Sequence, residues 1–267
     1  MTVEDEARAL IASLREPDGA EAVLANARAI APFVRANGGP SDEARGAQPP
    51  ITDILRASGL LRMTFPRRLG GLEMRTAQQA KAAAIVARAD AGIGWNVAIL
   101  NMTGLYATRL PEAGRLELYP IEDLPTSGAF HPPGRAVRTE GGYLVTGDWG
   151  YGSGSPMADH VVGGALEFDA DGEPIRHPDG RQVILGIVLP PAAIEWKDDW
   201  NVVGLRSSGS GGFRITEPAF VPASHVFARN FPDTAGNDPL NRHSEVGFFG
   251  LMGVPVGVAA RLYDESL

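Results

Sequence analysis

The hydrophobic pattern of this 267-residue chain changes from helical to strand-type near Leu124, and that change limits the folds open to it. Before it, apolar residues recur at the three- and four-residue spacing of helices. After it, from 127 to 231, strand-type segments follow one another with Gly, Asp and Pro turns between them and no helix. A βαβ array needs a helix in its crossovers, so this stretch predicts an antiparallel sheet or barrel. The last stretch, 241–267, returns to a helical pattern. The chain thus reads as an α+β multidomain protein. It has an N-terminal helical domain over 1–123, a middle antiparallel β-domain over 124–235 and a helical segment over 236–267.

Helices are expected at 4–16 and 20–36, where Leu10, Ile11 and Leu14, then Val23, Leu24, Ala27, Ile30, Ala31 and Val34, form apolar faces. Gly38-Gly39-Pro40 reads as the stop of the second helix. Pro50 precedes a short helix over 51–58 that ends at Gly59. Segment 60–72 reads as irregular. A long alanine-rich helical stretch runs from Thr76 to about Arg109 with a break near Asp90–Gly94, and 111–118 is a short helix. In the middle part, 135–139 and 143–146 flank Glu140-Gly141-Gly142, a hairpin signal. Strands are expected at 160–168 and 182–189, with turns at Asp171-Gly172 and Asp179-Gly180, and then at 195–203, 212–215 and 219–221. Segment 247–260 is apolar nearly all round, which predicts burial. One such helix cannot bury itself, so it needs the N-terminal helices, another subunit or a further portion of chain.

Composition removes several functions. The formal net charge is −8, which argues against a general nucleic-acid binder. There is no cysteine, so disulfides, thiolate metal sites and a Cys nucleophile are excluded. The acidic N-terminus has no signal-peptide core, and 247–260 is too short to span a bilayer. The expectation is a cytoplasmic protein without membrane contact. His131, His160, His177, His225 and His243 are scattered without metal-ligand spacing, so no metal site is expected. His131, before Pro132-Pro133 at a strand end, is the one histidine with a claim to face a ligand. Neither a dinucleotide fingerprint, a P-loop nor a GxSxG elbow is present.

Two constellations remain. In Gly147-Asp148-Trp149-Gly150-Tyr151-Gly152-Ser153-Gly154-Ser155-Pro156 a strand with two aromatics runs into small residues. Such a bend lets a planar ligand approach the backbone, with Trp149 packing on a ring and hydroxyls meeting its polar edge. It equally suits a plain hairpin with two core aromatics. In the segment from Trp200 to Ser210, the loop Arg206-Ser207-Ser208-Gly209-Ser210 suits an anionic or phosphate-bearing group, or is a solvated loop.

Taken in order, five segments resemble the acyl-CoA dehydrogenase superfamily. They are Gly59-Leu60-Leu61 through Pro66-Arg67-Arg68-Leu69-Gly70-Gly71-Leu72, Ala87-Arg88-Ala89-Asp90, the hairpin Gly141 to Trp149, the stretch from Trp200 to Ser210, and Ala219-Phe220-Val221-Pro222. Pro133-Gly134-Arg135-Ala136 and Trp149-Gly150-Tyr151-Gly152-Ser153-Gly154 are closer to its flavin-dependent monooxygenase branch. The resemblance implies a helical domain, a β-domain and the start of a truncated C-terminal helical bundle. It implies an oxidoreductase that takes reduced flavin, FMN or FAD, from a partner reductase and hydroxylates a small-molecule substrate with O2. It implies Ser153 beside flavin N5, with His131 as a second catalytic candidate. Gly128, Ala129, Phe130, Trp149, Tyr151, Gly152, Arg206, Ser208 and Ser210 would contact the cofactor. It implies a homo-oligomer, dimer or tetramer. Family members are typically longer, and the absent bundle would carry the subunit interface, part of the flavin site and the usual base. Glu245 reads as an ordinary surface carboxylate rather than that base. An acyl-CoA dehydrogenase proper, and a non-catalytic assembly subunit using 247–260 as an interface, are the alternative readings.

Overall fold

The computed structural model describes residues 1–121, 124–229, 240 and 249–267. Segments 122–123, 230–239 and 241–248 lie outside the described residues, and with them His243, Glu245 and the first part of the apolar segment 247–260.

Seven helices come first: α1 (Val3–Ser13), α2 (Ala20–Glu43), α3 (Pro49–Ala57), α4 (Thr76–Ala89), α5 (Ala91–Leu100), α6 (Thr103–Arg109) and α7 (Glu112–Leu118). Thr2 starts α1 with a reciprocal cap, its hydroxyl accepting from Asp5 N while Asp5 accepts from Thr2 N. The expected stop of α2 at Gly38-Gly39-Pro40 does not occur, and the helix runs on to Glu43. Gly38 is there for packing: a Cβ on it would lie 2.9 Å from Asp90 Oδ2. Pro32 and Pro40 each remove one ladder hydrogen bond, yet the helix continues past both. The break near Asp90 is present, because Asp90 is extended and caps α5 through Ile93 N at 2.9 Å. A second break, at Asn101–Met102, divides α5 from α6.

The middle part forms one seven-stranded sheet: β1 (Thr126–Thr139), β2 (Gly142–Trp149), β3 (His160–Phe168), β4 (Ile184–Val188), β5 (Glu195–Trp196), β6 (Phe213–Pro222) and β7 (Val226–Ala228). Its order is β5-β6-β2-β1-β3-β4-β7. The hairpin turn falls at Gly141, whose φ of 75° is the left-handed conformation glycine tolerates. The expectation of a purely antiparallel domain is corrected: β1 and β3 are parallel, so the sheet is mixed. The chain leaves β2 beside the start of β1 and enters β3 at that same end, with β2 itself as the return path. No crossover helix is needed.

Two more expectations change. The strand over 195–203 is cut to Glu195–Trp196: Lys197 N still bonds Gly212 O, but Gly212 N turns to the Asp199 carboxylate at 2.8 Å. The two short strands at 212–215 and 219–221 are one strand, β6, with a register shift opposite Val145 and Gly147.

Three apolar clusters hold the parts together. One lies among α2 to α5 and includes Ile30, Ile54, Leu55 and Val97. A second fills the sheet around Trp149, Phe213 and Ile187. The third joins α6 to the sheet through Leu105, Tyr106, Val162 and Phe227. No helix among the described residues is long and apolar enough to cross a membrane.

The last helix, α8 (Gly253–Glu265), packs on α4 through Gly253 and Gly257. Cβ atoms there would lie 2.0 Å from Ala80 O and 2.4 Å from Ala84 O, so only glycine permits this approach. All-round burial is corrected for the described part: Val254 is buried, but Met252, Val256, Leu262 and Tyr263 are exposed. Replacing Gly257 by Val is expected to destabilise the protein by about 2–4 kcal/mol, since main chain cannot yield to the new side chain. Val256→Ala, on the exposed face, is expected to stay within about 0.5 kcal/mol. Urea unfolding of both variants measures the contrast.

Candidate functional site

The loop after β2 and the loop before β6 converge on α5. The anchor is Asp90, whose Oδ1 accepts both Ile93 N and, at 2.6 Å, the Ser207 hydroxyl. Ser207 sits so close to the helix that a Cβ on Gly92 would lie 2.2 Å from its Oγ. Asn96, fully buried one turn on, reaches Ser207 O with Nδ2 at 3.5 Å. The two loops are zipped together by Gly152 N to Gly211 O at 2.9 Å and Gly154 N to Ser208 O at 2.8 Å.

This zipper lines up hydroxyls. Half-buried Trp95 on α5 donates its indole N–H to Ser153 Oγ at 3.0 Å. Ser153 Oγ lies 2.8 Å from Ser210 Oγ, which lies 2.6 Å from Ser208 Oγ. Ser127 on β1 donates to Ser153 O at 2.9 Å, tying the group to the sheet. All four serines are buried. Gly154, with φ 74°, closes the bend, and a Cβ there would press into Leu100.

Of the residues singled out in the sequence, Ser153, Ser208 and Ser210 therefore come together. Gly128 and Ala129 follow Ser127 along β1 in register with Val162 and Gly163. A Cβ on Gly128 would lie 3.5 Å from Tyr106 OH, whose pKa burial pushes well above its ordinary value, so the phenol is neutral there. Phe130 continues the same strand. His131 stands exposed where β1 bulges: β1 advances from Ala129 to Gly134 while β3 advances only from Gly163 to Ala165. Pro132 and Pro133 cannot donate to the ladder, which is why the bulge sits here. The structure records no hydrogen bond between His131 and the serines.

Two residues stand elsewhere than their assigned roles require. Trp149 is fully buried, stacks on Phe213 at 5.3 Å and donates to Gly164 O at 2.8 Å. Gly134, Gly147 and Gly163 leave room for its indole, so the ring is sheet core and presents no face to a ligand. Arg206 turns to Asp42, 3.2 Å away, and to Val202 O, away from the hydroxyls. Gly152 backs onto Phe213. Tyr151 is 75% exposed with φ 64°, its ring edge against Trp200.

Sequence reasoning missed Trp95, Asn96 and Ser127, and noted Asp90 at a helix break and in a resembling segment but not as an anchor of the site. The available signal was Asp90 at a helix break, followed by glycines at 92 and 94 that let another chain segment approach.

Beyond the zipper, a cleft of about 500 Å³ is lined by Arg45, Ser155, Pro156, Trp196, Lys197 and Trp200. Its cations are paired, Arg45 with Asp198 and Lys197 with Asp148. Among the described residues no group of three His, Asp or Glu side chains could hold a metal ion. His160 bonds Leu118 O, and burial lowers its pKa.

No protein-family model matches the chain. It is 30% identical over 234 residues to an indole-3-acetate monooxygenase of Pseudomonas putida, covering 86% of this chain and 57% of that protein. It is 27% identical over 208 residues to the oxygenase component of a p-hydroxyphenylacetate 3-hydroxylase of Acinetobacter baumannii, covering 76% and 46%. The chain thus spans about half the length of these curated relatives. Among solved structures, XiaF from a Streptomyces species, in complex with FADH2 and glycerol, superposes with a TM-score of 0.79. The identity is 24%, over 97% of this chain and 63% of that one, and the two share a fold.

Asp90→Ala removes the cap of α5 and leaves the Ser207 hydroxyl without its acceptor. A loss of about 2–3 kcal/mol is expected, against about 1 kcal/mol for Ser207→Ala. Chemical denaturation of the two variants and the double variant is expected to show non-additive losses, because the residues share one hydrogen bond.

Proposed function

We propose that this chain is the flavin-binding part of an oxygenase component of a two-component monooxygenase. It takes reduced flavin from a reductase and hydroxylates a small organic substrate with O2. The observation that carries the reading is the hydroxyl group Trp95–Ser153–Ser210–Ser208 at the junction of helices and sheet, in a chain whose relatives include a flavin-dependent monooxygenase oxygenase subunit and an FADH2-dependent resorcinol hydroxylase by name.

The donor set fits the polar edge of an isoalloxazine. That edge mixes N–H donors with N and O acceptors, and serine hydroxyls serve either sense. No charged side chain takes part in the group, so its contacts with the ring are ordinary hydrogen bonds. FMN and FAD share this ring, and the reading concerns the ring alone. Bound reduced flavin supplies the electrons that activate O2.

The protein's own residues have separable tasks in this reading. Ser153 makes one directed hydrogen bond with a ring nitrogen. Its Oγ is held by Trp95 Nε1–H and Ser210, and its carbonyl by Ser127, so the oxygen is in place before a ligand arrives. The backbone of Gly128–Phe130 meets the ring's polar edge. The Trp95 indole and the buried loops exclude water from the hydroxyls. The exposed stripe of Met252, Val256 and Tyr263 on α8 supports assembly into a homo-oligomer.

An anaerobic titration with photoreduced FMN and FAD tests the reading. Uptake of reduced flavin is expected, and Ser153→Ala is expected to weaken it about fivefold, the worth of one ordinary hydrogen bond. A folded chain that takes up neither flavin in either redox state overturns it.

A further inference from the structure

The three hydroxyls have an unusual property that follows from counting protons. Ser153 Oγ has one proton and two lone pairs. Trp95 Nε1–H can only donate, so it occupies one lone pair permanently. One proton and one lone pair remain for two neighbours, Ser210 and whatever meets Ser153 in the junction. If Ser210 donates to Ser153, the Ser153 proton is directed at the ligand. If Ser153 donates to Ser210, a lone pair is. Ser210 stands between Ser153 and Ser208 at 2.8 and 2.6 Å and can run either way, its proton toward one or the other. Reversal needs only rotation of the hydroxyls, and no proton changes oxygen.

We infer that Ser210 and Ser208 are positioning residues that let Ser153 switch between hydrogen-bond donor and acceptor toward one ligand atom. The inference rests on the flavin reading above and deepens it. The ligand this suits is a heterocycle whose ring nitrogen carries a hydrogen in one redox state and none in the other, as the central-ring nitrogen of flavin does. Oxidised flavin offers a bare nitrogen and takes the Ser153 proton. Reduced flavin offers N–H and takes the Ser153 lone pair, and the proton turns to Ser210 and on toward Ser208. The Ser208 proton then needs an acceptor. The same junction holds Asn96 Oδ1, buried and without a hydrogen-bond partner, on the side chain whose Nδ2 reaches Ser207 O.

The two senses respond differently to loss of Ser210. In Ser210→Ala, oxidised flavin still receives the Ser153 proton. Reduced flavin can be bound only by leaving that proton buried without an acceptor, a penalty that corresponds to roughly tenfold or more in affinity. Weakening the reduced form alone by tenfold lowers the two-electron midpoint potential of the bound flavin by about 30 mV.

The experiment measures dissociation constants of oxidised and photoreduced FMN for the wild-type chain and for Ser210→Ala, Ser208→Ala and Ser210→Thr, with the midpoint potential of the bound flavin as an independent readout. Expected are a loss of about tenfold in reduced-FMN affinity for Ser210→Ala with little change for the oxidised form, a smaller loss of the same sense for Ser208→Ala, and recovery in Ser210→Thr. A merely structural role would weaken both redox states alike. If wild type binds FMN but Ser210→Ala changes the two states equally, or neither, the switch is overturned and the flavin reading stands. If wild type binds neither state, the flavin reading fails and the switch with it.

Discussion

The placement of the hydroxyl group depends on the hydrogen bond from Ser207 to Asp90. Asp90 has two tasks at once: it caps α5 and it receives the loop that precedes β6. A carboxylate at a helix start is favoured by the unpaired N–H groups there, and a charge-assisted bond of 2.6 Å to a buried hydroxyl adds to it. Everything in the hydroxyl group is indexed from that contact. Trp95 lies five residues further along the same helix, and Ser208 and Ser210 follow Ser207 in the same loop. A shift of the loop along α5 would separate the indole from Ser153.

Glycines decide how closely the parts approach. Gly38 and Gly92 admit Asp90 and Ser207, and Gly253 and Gly257 let α8 lie against the backbone of α4. Gly134, Gly147 and Gly163 instead make a slot for Trp149 inside the sheet. That slot explains why an aromatic at the edge of a small-residue bend reads as a ligand platform in sequence and is core in the fold. The indole N–H finds Gly164 O within the sheet, so burial leaves no polar group unpaired.

The parts of the fold with local causes were legible. Strand β3 has the expected bounds 160–168, and the hairpin turns at Gly141, because alternation and turn chemistry act over a few residues. The helix break at Asp90 was legible for the same reason. The end of α2 was not, since Gly38-Gly39-Pro40 carries the composition of a stop while Gly38 answers to a side chain 52 positions away. The parallel pairing of β1 with β3 was not legible either. It depends on which end of the sheet the chain occupies after β2, which no local pattern records. Within the candidate site, Ser153, Ser208 and Ser210 could be named from their loops, whereas Trp95 and Asn96 sit in a helix that looks like ordinary apolar core.

By itself the sequence determined the order of helical and strand-forming segments, the absence of thiol chemistry, and which loops are small and polar enough to line a site. Local backbone preference and hydrophobic periodicity are short-range, so they are written in consecutive residues. The tertiary structure alone decided that two loops some 55 residues apart zip together over α5, that Trp149 turns inward, and that Arg206 faces Asp42. Those outcomes follow from competition between distant groups for the same buried space and the same hydrogen-bond partners, and such competition is settled only when the chain is packed.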